Sequence, residues 1–205
     1  RRFSIKLKLI LIFGFLILSS LLVLGTLAIG LARKATSEKV EIHLKDKARD
    51  TTEIIDGRVR ALYQFLEGIA RSPILRNKGV SYEEKAKYCM DEASANETIK
   101  FLAIANSNAL LYTYGQKTIK VDHLEYYKEG MSGKDFISEP FVSEISGTII
   151  MALSVPIYDE DGLVVGVLCA TIDGFILCER TKDIVVGKTG AVYMLGKRGT
   201  VIAHH

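Results

Sequence analysis

Residues 148–172 read TIIMALSVPIYDEDGLVVGVLCATI, two apolar runs on either side of an acidic segment. Thr148–Pro156 and Leu163–Ile172 have the length and apolar character of strands. The segment Asp159–Gly162 between them carries residue types that are typical of turns. The sequence therefore predicts two neighbouring strands joined by a tight connection.

Three further runs predict strands of the same sheet. Phe136–Ser143 precedes the first pair and is joined to it by the turn-rich segment Glu144–Gly147. Ile99–Ala105 and Ala109–Tyr114 are β-type runs separated by Asn106-Ser107-Asn108, which is a hairpin signal. Together with the first two, these runs give five predicted strands, all antiparallel.

Helices are predicted between and after these strands. Ser81-Tyr82-Glu83-Glu84 fits a capping box and predicts a helix from Ser81 to about Ala95. Asp122 is predicted to cap a short helix that ends at Glu129 and is closed by Gly130 and Gly133. Another helix is predicted over Phe175–Val185. This order of elements indicates an α+β fold.

The last residues form one more predicted hairpin. Ala191–Leu195 and Thr200–Ala203 read as strands on either side of Lys197-Arg198-Gly199. We expect this hairpin to open a second module, similar to the first, that the chain does not finish. The sequence begins with Arg1 rather than Met, so we expect it to be a piece of a longer protein.

An apolar segment near the N-terminus predicts a membrane span. Leu9–Leu31 contains no charged residue, and 16 of its 23 positions are Leu, Ile, Val or Phe. As a helix it is about 35 Å long, enough for a hydrocarbon core of about 30 Å. The alternative is a signal peptide cleaved near Gly30-Leu31-Ala32, but the apolar part of such peptides is only about 7–15 residues long. The sequence predicts a transmembrane helix over residues 9–32.

Charges around this segment predict its orientation. Residues 1–8 hold four basic residues and no acidic one, which favours a cytoplasmic tail. Arg33 and Lys34 follow the span and weaken that bias. We expect a location in the cell membrane, with the residues after about position 33 outside the cytoplasm.

A regular apolar stripe follows the predicted span. Its positions, with an average spacing of about 3.6 residues, predict a helix with one buried side. Pro73 is expected to end this helix, which gives a stalk over residues 33–72 that continues from the membrane helix. The stripe has two uses, packing on its own domain and pairing with a second copy of the chain, and we expect both. Its members are Val40, Leu44, Ala48, Thr51, Ile55, Val59, Leu62, Leu66 and Ile69.

Composition excludes several classes of protein. The net charge of +3 comes from the N-terminal tail, because the rest of the chain has 23 basic against 24 acidic residues. A nucleic-acid-binding surface is therefore not predicted. Three cysteines without a Cys-x-x-Cys pair predict neither a disulfide framework nor a zinc site. Cys89 and Cys169 are expected to be buried thiols, with a Cys169–Cys178 disulfide as the open alternative. No cofactor, metal site or enzymatic activity is predicted.

Several motifs, taken in combination and order, resemble a known family. They resemble the double Cache sensor domain at the N-terminal part of methyl-accepting chemotaxis proteins. Such domains also precede diguanylate cyclases and histidine kinases. The resemblance implies a membrane-distal, PAS-like Cache module over residues 73–186 and the start of a membrane-proximal module over residues 187–205. The motifs are Glu125-Tyr126-Tyr127-Lys128-Glu129, Ser154–Asp159, Gly166-Val167-Leu168, Val186–Tyr193 and Gly199–His204.

The resemblance also implies where a ligand would bind. Many amino-acid-binding members have an Arg two positions before an aromatic pair and an Asp in a later strand, which hold the ligand's carboxylate and ammonium groups. This chain has Leu124 and Thr171 at those positions, and Asp173 is a candidate replacement carboxylate. The implied ligand is a small polar or carboxylate-bearing solute. The candidate ligand-binding residues are Tyr112, Asp122, Tyr126, Tyr127, Thr171 and Asp173.

Structural roles remain open for the same residues. Tyr112 fits an ordinary strand residue, one of the two adjacent tyrosines fits packing on the sheet, and Asp173 fits a helix cap. The expected function is that of a homodimeric transmembrane chemoreceptor sensor that binds a solute and signals to cytoplasmic partners through the part of the protein that is missing here. The alternatives are the same sensor controlling a diguanylate cyclase or histidine kinase, and a membrane-tethered scaffold or adhesion domain.

Overall fold

The computed structural model describes residues 5–143, 146–181, 192–197 and 199–204. The chain divides into two compact units, Arg1–Asp50 and Thr51–His205. The first helix, α1, spans Ile5–Ala70. In the first unit it exposes every Leu, Ile, Val and Phe of Leu9–Leu31. By length and composition this helix is a candidate membrane span, with a mean hydropathy of 2.6 over its most apolar window.

The apolar stripe of α1 changes its environment along the helix. Val40 and Leu44 are exposed, whereas Leu66 and Ile69 are buried in the core of the second unit. The helix ends at Ala70, two residues before the predicted end of the stalk. Pro73 begins a further helix, α2, Pro73–Arg76, that the sequence analysis missed. Proline suits the first position of a helix because the N–H it lacks has no partner there.

The helix α3, Tyr82–Ala93, confirms the predicted start at Ser81, whose Oγ accepts a hydrogen bond from the Glu84 N–H. The helix α4, Glu125–Met131, does not begin as predicted, because Leu124 and not Asp122 is its N-cap. Gly133, with φ of +82°, follows the end of α4 as predicted. Gly130, expected to lie after the helix, is part of it.

Within the described residues, seven strands form the sheet, against the five predicted. Two differences account for the larger number: the short strand β3 was missed, and the predicted strand 136–143 is divided in two at Pro140, which has no N–H to donate. The strands are β1 (Ile99–Asn106), β2 (Leu110–Tyr112), β3 (Ile119–Lys120), β4 (Phe136–Ile137), β5 (Phe141–Val142), β6 (Ile149–Tyr158) and β7 (Val164–Asp173). Their order is β3-β2-β1-β7-β6-β4, with β5 also paired to β6, and every pair is antiparallel.

The C-terminal elements are a helix and a hairpin. The helix α5, Ile176–Thr181, covers the first part of the predicted Phe175–Val185, whose last four residues lie outside the described part of the chain. The predicted hairpin is confirmed, since β8 (Tyr193–Leu195) pairs with β9 (Val201–His204). Residues 186–191, which carry part of the second-module motif, also lie outside the described residues.

Alternation along β1, β6 and β7 gives the sheet two different faces. We call the face that packs with Leu66 of α1 and Cys89 of α3 the closed face. We call the opposite face, which carries mostly small side chains, the open face. The closed face includes Leu102, Ile104, Met151, Leu153, Val155, Ile157, Leu168 and Ile172. The open face includes Ala103, Ala105, Ala152, Ser154, Val167, Cys169 and Thr171.

Candidate functional site

A cavity of about 880 Å³ lies on the open face of the sheet. Its floor is formed by Ala103, Ala152 and Thr171, one from each of the three central strands. The segment 119–126 forms one wall, and residues 141–143, 146 and 148–150 contribute another part of the lining. The volume is within the range of small-molecule sites, about 300–1,000 Å³.

The cavity exists because the open face has short side chains where the closed face has long ones. Side chains alternate between the two faces of a strand. Leu102 and Leu153 therefore fill the closed face, while Ala103 and Ala152 leave room on the open one. The helix α4 covers only the neighbouring part of the open face, where Gly130 lies against Val167.

Tyr126 belongs to the wall of the cavity, and its backbone is hydrogen-bonded to the central strand β6. The fully buried Ser154 on β6 donates its hydroxyl to the Tyr126 carbonyl at 2.7 Å. This hydrogen bond joins α4 to the centre of the sheet. The Tyr126 side chain, which is half-buried, lines the cavity.

Polar groups at the cavity carry both signs of charge. Among the described residues of the lining, Lys100, Lys120 and His123 are basic and Asp173 is acidic. Asp173 Oδ1 accepts a hydrogen bond from the Phe175 N–H at 2.9 Å. This hydrogen bond lies directly before α5, which begins at Ile176. Lys120 already pairs with Asp122 at 3.1 Å.

Large apolar side chains complete the lining and are exposed there. Phe101, Val142, Ile149 and Phe175 all line the cavity, and Phe101 and Phe175 are 51% and 54% exposed. Exposed aromatic and aliphatic groups in a concave site provide apolar contact area for a ligand. The site therefore combines an apolar lining with a few charged groups.

Three of the six candidate ligand-binding residues line this cavity: Tyr126, Thr171 and Asp173. Tyr127 does not, because its ring is buried and its hydroxyl donates to the Asn106 carbonyl at 3.1 Å. Tyr112 packs toward the closed face, where its ring stacks on Tyr82 with centroids 4.6 Å apart.

Asp122 also lies outside the lining and is engaged at the surface. Its two carboxylate oxygens face Lys120 at 3.1 Å and His123 Nδ1 at 3.6 Å. The hydrogen bond with Lys120 is the main reason that the pKa of Asp122 is lowered.

Sequence reasoning missed several lining residues, among them Lys100, Phe101 and His123. A signal existed for Phe101, because it stands two positions before Ala103 in one strand and so belongs to the same face. No such signal existed for His123, whose place depends on how α4 docks onto the sheet.

Cys89, Cys169 and Cys178 form no disulfide, so the alternative Cys169–Cys178 pairing is not present. Cys89 and Cys169 are buried, as predicted, and Cys178 is half-buried. Burial raises the pKa of Cys89 to about 12 and also raises that of Cys169, which lines the cavity. Among the described residues, no group of three His, Cys, Asp or Glu side chains could hold a metal ion.

Comparison with known families identifies the fold. The family model described as the Cache domain matches residues 31–205. The chain belongs to the Cache domain family. In this Cache domain the open face of the sheet carries the candidate site.

Solved ligand-binding domains of chemoreceptors share the architecture. The chain is similar to the ligand-binding domain of the Pseudomonas fluorescens chemoreceptor CtaA in complex with L-serine, at 14% identity and a TM-score of 0.66, covering 82% of this chain and 73% of that one. It is similar to the ligand-binding domain of the Pseudomonas aeruginosa amino acid chemoreceptor PctC in complex with GABA, at 17% identity and a TM-score of 0.64, covering 79% of this chain and 74% of that one.

A third similar structure is the sensory domain of the Campylobacter jejuni chemoreceptor Tlp3 with isoleucine bound, at 13% identity and a TM-score of 0.60, covering 76% of this chain. The chain spans about two thirds or less of the Tlp3 domains, 64% of the 4-methylisoleucine complex and 65% of the isoleucine complex. At these identities the likeness shows the fold alone. A sequence search of curated proteins finds no match.

Proposed function

We propose that this Cache domain is the sensor region of a transmembrane chemoreceptor and that the cavity on the open face binds a small extracytoplasmic solute. The observation that carries the proposal is the cavity of about 880 Å³, which is lined by Tyr126, Thr171 and Asp173. Its size, apolar lining and few charged groups are those of a small-molecule site. The similar structures support it, since they are ligand-binding domains of chemoreceptors.

The proposed ligand is a small solute that carries a carboxylate. Lys100 and His123 on the lining supply basic groups for it, and the Tyr126 and Thr171 side chains supply hydroxyls. The relatives hold L-serine, isoleucine and GABA, which all have a carboxylate and an amine. Leu124 and Thr171 replace the charged residues that many amino-acid-binding members use, so an α-amino acid held in the usual way is disfavoured. Among the described lining residues, Asp173 is the acidic one available to an amine.

The proposed membrane arrangement follows the charge and hydropathy of the chain. Residues 9–32 span the membrane, residues 1–8 lie in the cytoplasm, and residues 33–72 form the stalk. The candidate span found in α1 supports this arrangement. Residues 73–186 form the membrane-distal module, and residues 187–205 begin a membrane-proximal module, which together make a double Cache domain.

Signalling is proposed to use a homodimer. Val40 and Leu44 of the apolar stripe are exposed on α1, whereas Leu66 and Ile69 are buried. The exposed part is available for pairing with the same helix of a second copy. Ligand binding must favour one of two arrangements of the helices, because a ligand with equal affinity for both would shift nothing.

Binding is tested with the full chain in lipid nanodiscs by isothermal titration calorimetry. The probes are hexanoate, benzoate and succinate, and for comparison GABA, isoleucine and serine. We expect a carboxylate probe to bind and Lys100→Met to weaken its affinity about tenfold, or about 1.4 kcal/mol. Lys128→Met is the matched control, because Lys128 is exposed on α4 outside the lining. Failure of every probe to bind would contradict the proposal.

Signalling is tested by disulfide crosslinking of Leu44→Cys, which lies on the exposed part of the stripe. We expect crosslinked dimers in nanodiscs and a change in crosslinking rate when a bound probe is added. An absence of dimers, or a rate that is unchanged by a probe shown to bind, would count against signalling through α1.

A further inference from the structure

A second cavity, of about 90 Å³, lies on the closed face, between α2, α3 and the strands. Leu75, Ile104 and Ile157 provide its apolar lining. Arg76, Lys78 and Lys85 also line it, so three basic side chains meet at a small space on the side of the sheet opposite the proposed ligand site.

Lys85 is the most buried of the three, at 5% exposure. Its Nζ donates to the Leu75 carbonyl at 2.9 Å and lies 5.0 Å from the centre of the Tyr82 ring. An ammonium group has three N–H donors. Within the described part of the chain, no carboxylate lies within 4.0 Å of Lys85 Nζ, so its charge is buried with a carbonyl and a ring as its partners.

Arg76 and Lys78 are held at the turn between β6 and β7. The Arg76 guanidinium donates to the carbonyls of Tyr158 and Asp159, at 2.9 and 2.8 Å. Lys78 Nζ donates to Asp159 Oδ2 at 3.2 Å. These contacts fix two of the three basic side chains around the second cavity.

The carboxylate of Asp159 does not neutralise Lys85. Its Oδ1 accepts from the N–H groups of Asp161 and Leu163, and its Oδ2 accepts from Lys78. Both oxygens are therefore engaged away from Lys85. The lining of the second cavity has three positive charges, and Asp159, the carboxylate that contacts this group, supplies one negative charge.

We propose that the second cavity is a binding site for a small anion, held by Lys85 Nζ and by the positive field of Arg76 and Lys78. Buried charges in proteins are paired, because an unpaired charge is costly to remove from water. A small anion supplies the partner that the described residues do not supply to Lys85.

The size of the cavity sets the class of anion. The second cavity, at about 90 Å³, has about a tenth of the volume of the first cavity, at about 880 Å³. Chloride and formate fit such a space, whereas gluconate does not. The apolar side chains of Ile104 and Ile157 leave the basic groups as the main polar contacts, which suits a small anion with one negative charge.

The first test is thermal unfolding of the full chain in nanodiscs at constant ionic strength, with sodium gluconate replaced stepwise by chloride or formate. Constant ionic strength separates binding from charge screening. We expect a saturable rise in Tm for the wild type, because an anion that binds only the folded state stabilises it. Lys85→Met should abolish the rise, and Lys87→Met, exposed on the same helix, should keep it.

A second measurement needs no variant. The ³⁵Cl NMR line of the wild-type chain should be broadened by bound chloride, and formate but not gluconate should reverse the broadening. The inference is overturned if chloride and formate leave Tm unchanged relative to gluconate, if the rise persists in Lys85→Met, or if formate does not compete. Because formate is itself a carboxylate, the measurements are repeated in Lys100→Met, which removes a basic group of the first cavity, and the rise in Tm should persist in that variant if the anion binds at Lys85.

Discussion

The closed and open faces of the sheet share β1, β6 and β7 but differ in the size of their side chains. Leu153 and Leu168 are fully buried among large apolar neighbours on the closed face. Ala152 and Cys169, their neighbours in sequence, lie beside a cavity of about 880 Å³ on the open face. The same strands therefore support a packed core on one side and an open cavity on the other. Substitutions on the closed face should therefore change the stability of the fold, and substitutions on the open face should change the cavity.

The largest expected effect is on the closed face. Leu153→Ala removes a fully buried side chain, and we expect the free energy of unfolding to fall by about 2–5 kcal/mol. Urea unfolding monitored by circular dichroism measures it. Leu163→Ala is the control, because Leu163 is 65% exposed, and it should change stability by about 0.5 kcal/mol or less. Equal losses in the two variants would contradict the assignment of the core.

The next effect concerns the docking of α4 on the open face. A Cβ at Gly130 would lie 2.5 Å from Val167 Cγ1. Gly130→Ala should therefore lower the free energy of unfolding by about 1–3 kcal/mol through overpacking. Adding Val167→Ala should recover part of this loss, which a double-mutant cycle in urea measures. Additive losses would show that Gly130 and Val167 do not interact as described.

Filling the cavity should affect binding more than stability. Ala103→Leu places a larger side chain into the floor, and we expect binding of a carboxylate probe to weaken at least about tenfold. The free energy of unfolding should change by only about 1 kcal/mol, because the cavity has room for the added atoms.

Ala105→Leu is the matched control for this substitution. Ala105 lies on the same face but is fully buried and outside the lining. It should destabilise the fold more than Ala103→Leu does. If Ala103→Leu retains wild-type affinity in calorimetry, the ligand does not occupy the floor of the cavity.

The smallest expected effect is electrostatic and comes from the proximity of Asp135 to Glu67 on α1. Burial, and then the negative charge of Glu67, raise the pKa of Asp135. The folded state therefore favours protonated Asp135, and the stability that this group contributes at low pH is lost as the pH rises through the raised pKa. Asp135→Asn should raise the free energy of unfolding at pH 7 by a few tenths of a kcal/mol, since the side chain is partly in water.

That gain from Asp135→Asn should disappear below about pH 4, where the carboxyl is protonated in both the folded and the unfolded states. Urea unfolding at pH 7 and pH 3.5 measures the difference. Asp91→Asn, at an exposed position of α3, is the control. A gain that persists unchanged at the lower pH would contradict an electrostatic cause.

Local patterns were enough to predict much of the fold. The apolar runs of β6 and β7, the Ser81 capping box and the two hairpins were predicted because each depends on neighbouring residues. The strand count was wrong because β3 has only two residues and Pro140 interrupts a run that is otherwise strand-like. Pro73 was predicted only to end a helix, although proline also starts one.

The candidate site was harder to predict, because its lining depends on tertiary packing. Tyr112 pairs with Ile104, and that register turns it toward the closed face. Tyr126 and Tyr127 are adjacent on α4 and point in different directions, so the docking of the helix decides which one lines the cavity. The sequence pattern alone did not distinguish which of the two tyrosines lines the cavity. Lys100 and His123 are brought together only by the folded sheet.

The hydrogen bond from Ser154 to the Tyr126 carbonyl has a consequence for how the lining of this cavity can change in evolution. The helix beside the cavity is held by a main-chain oxygen and by the absence of a side chain at Gly130. Neither of these two contacts depends on which side chains line the cavity. Mutations at positions 124 and 126 can therefore alter what is recognised while the helix keeps its place.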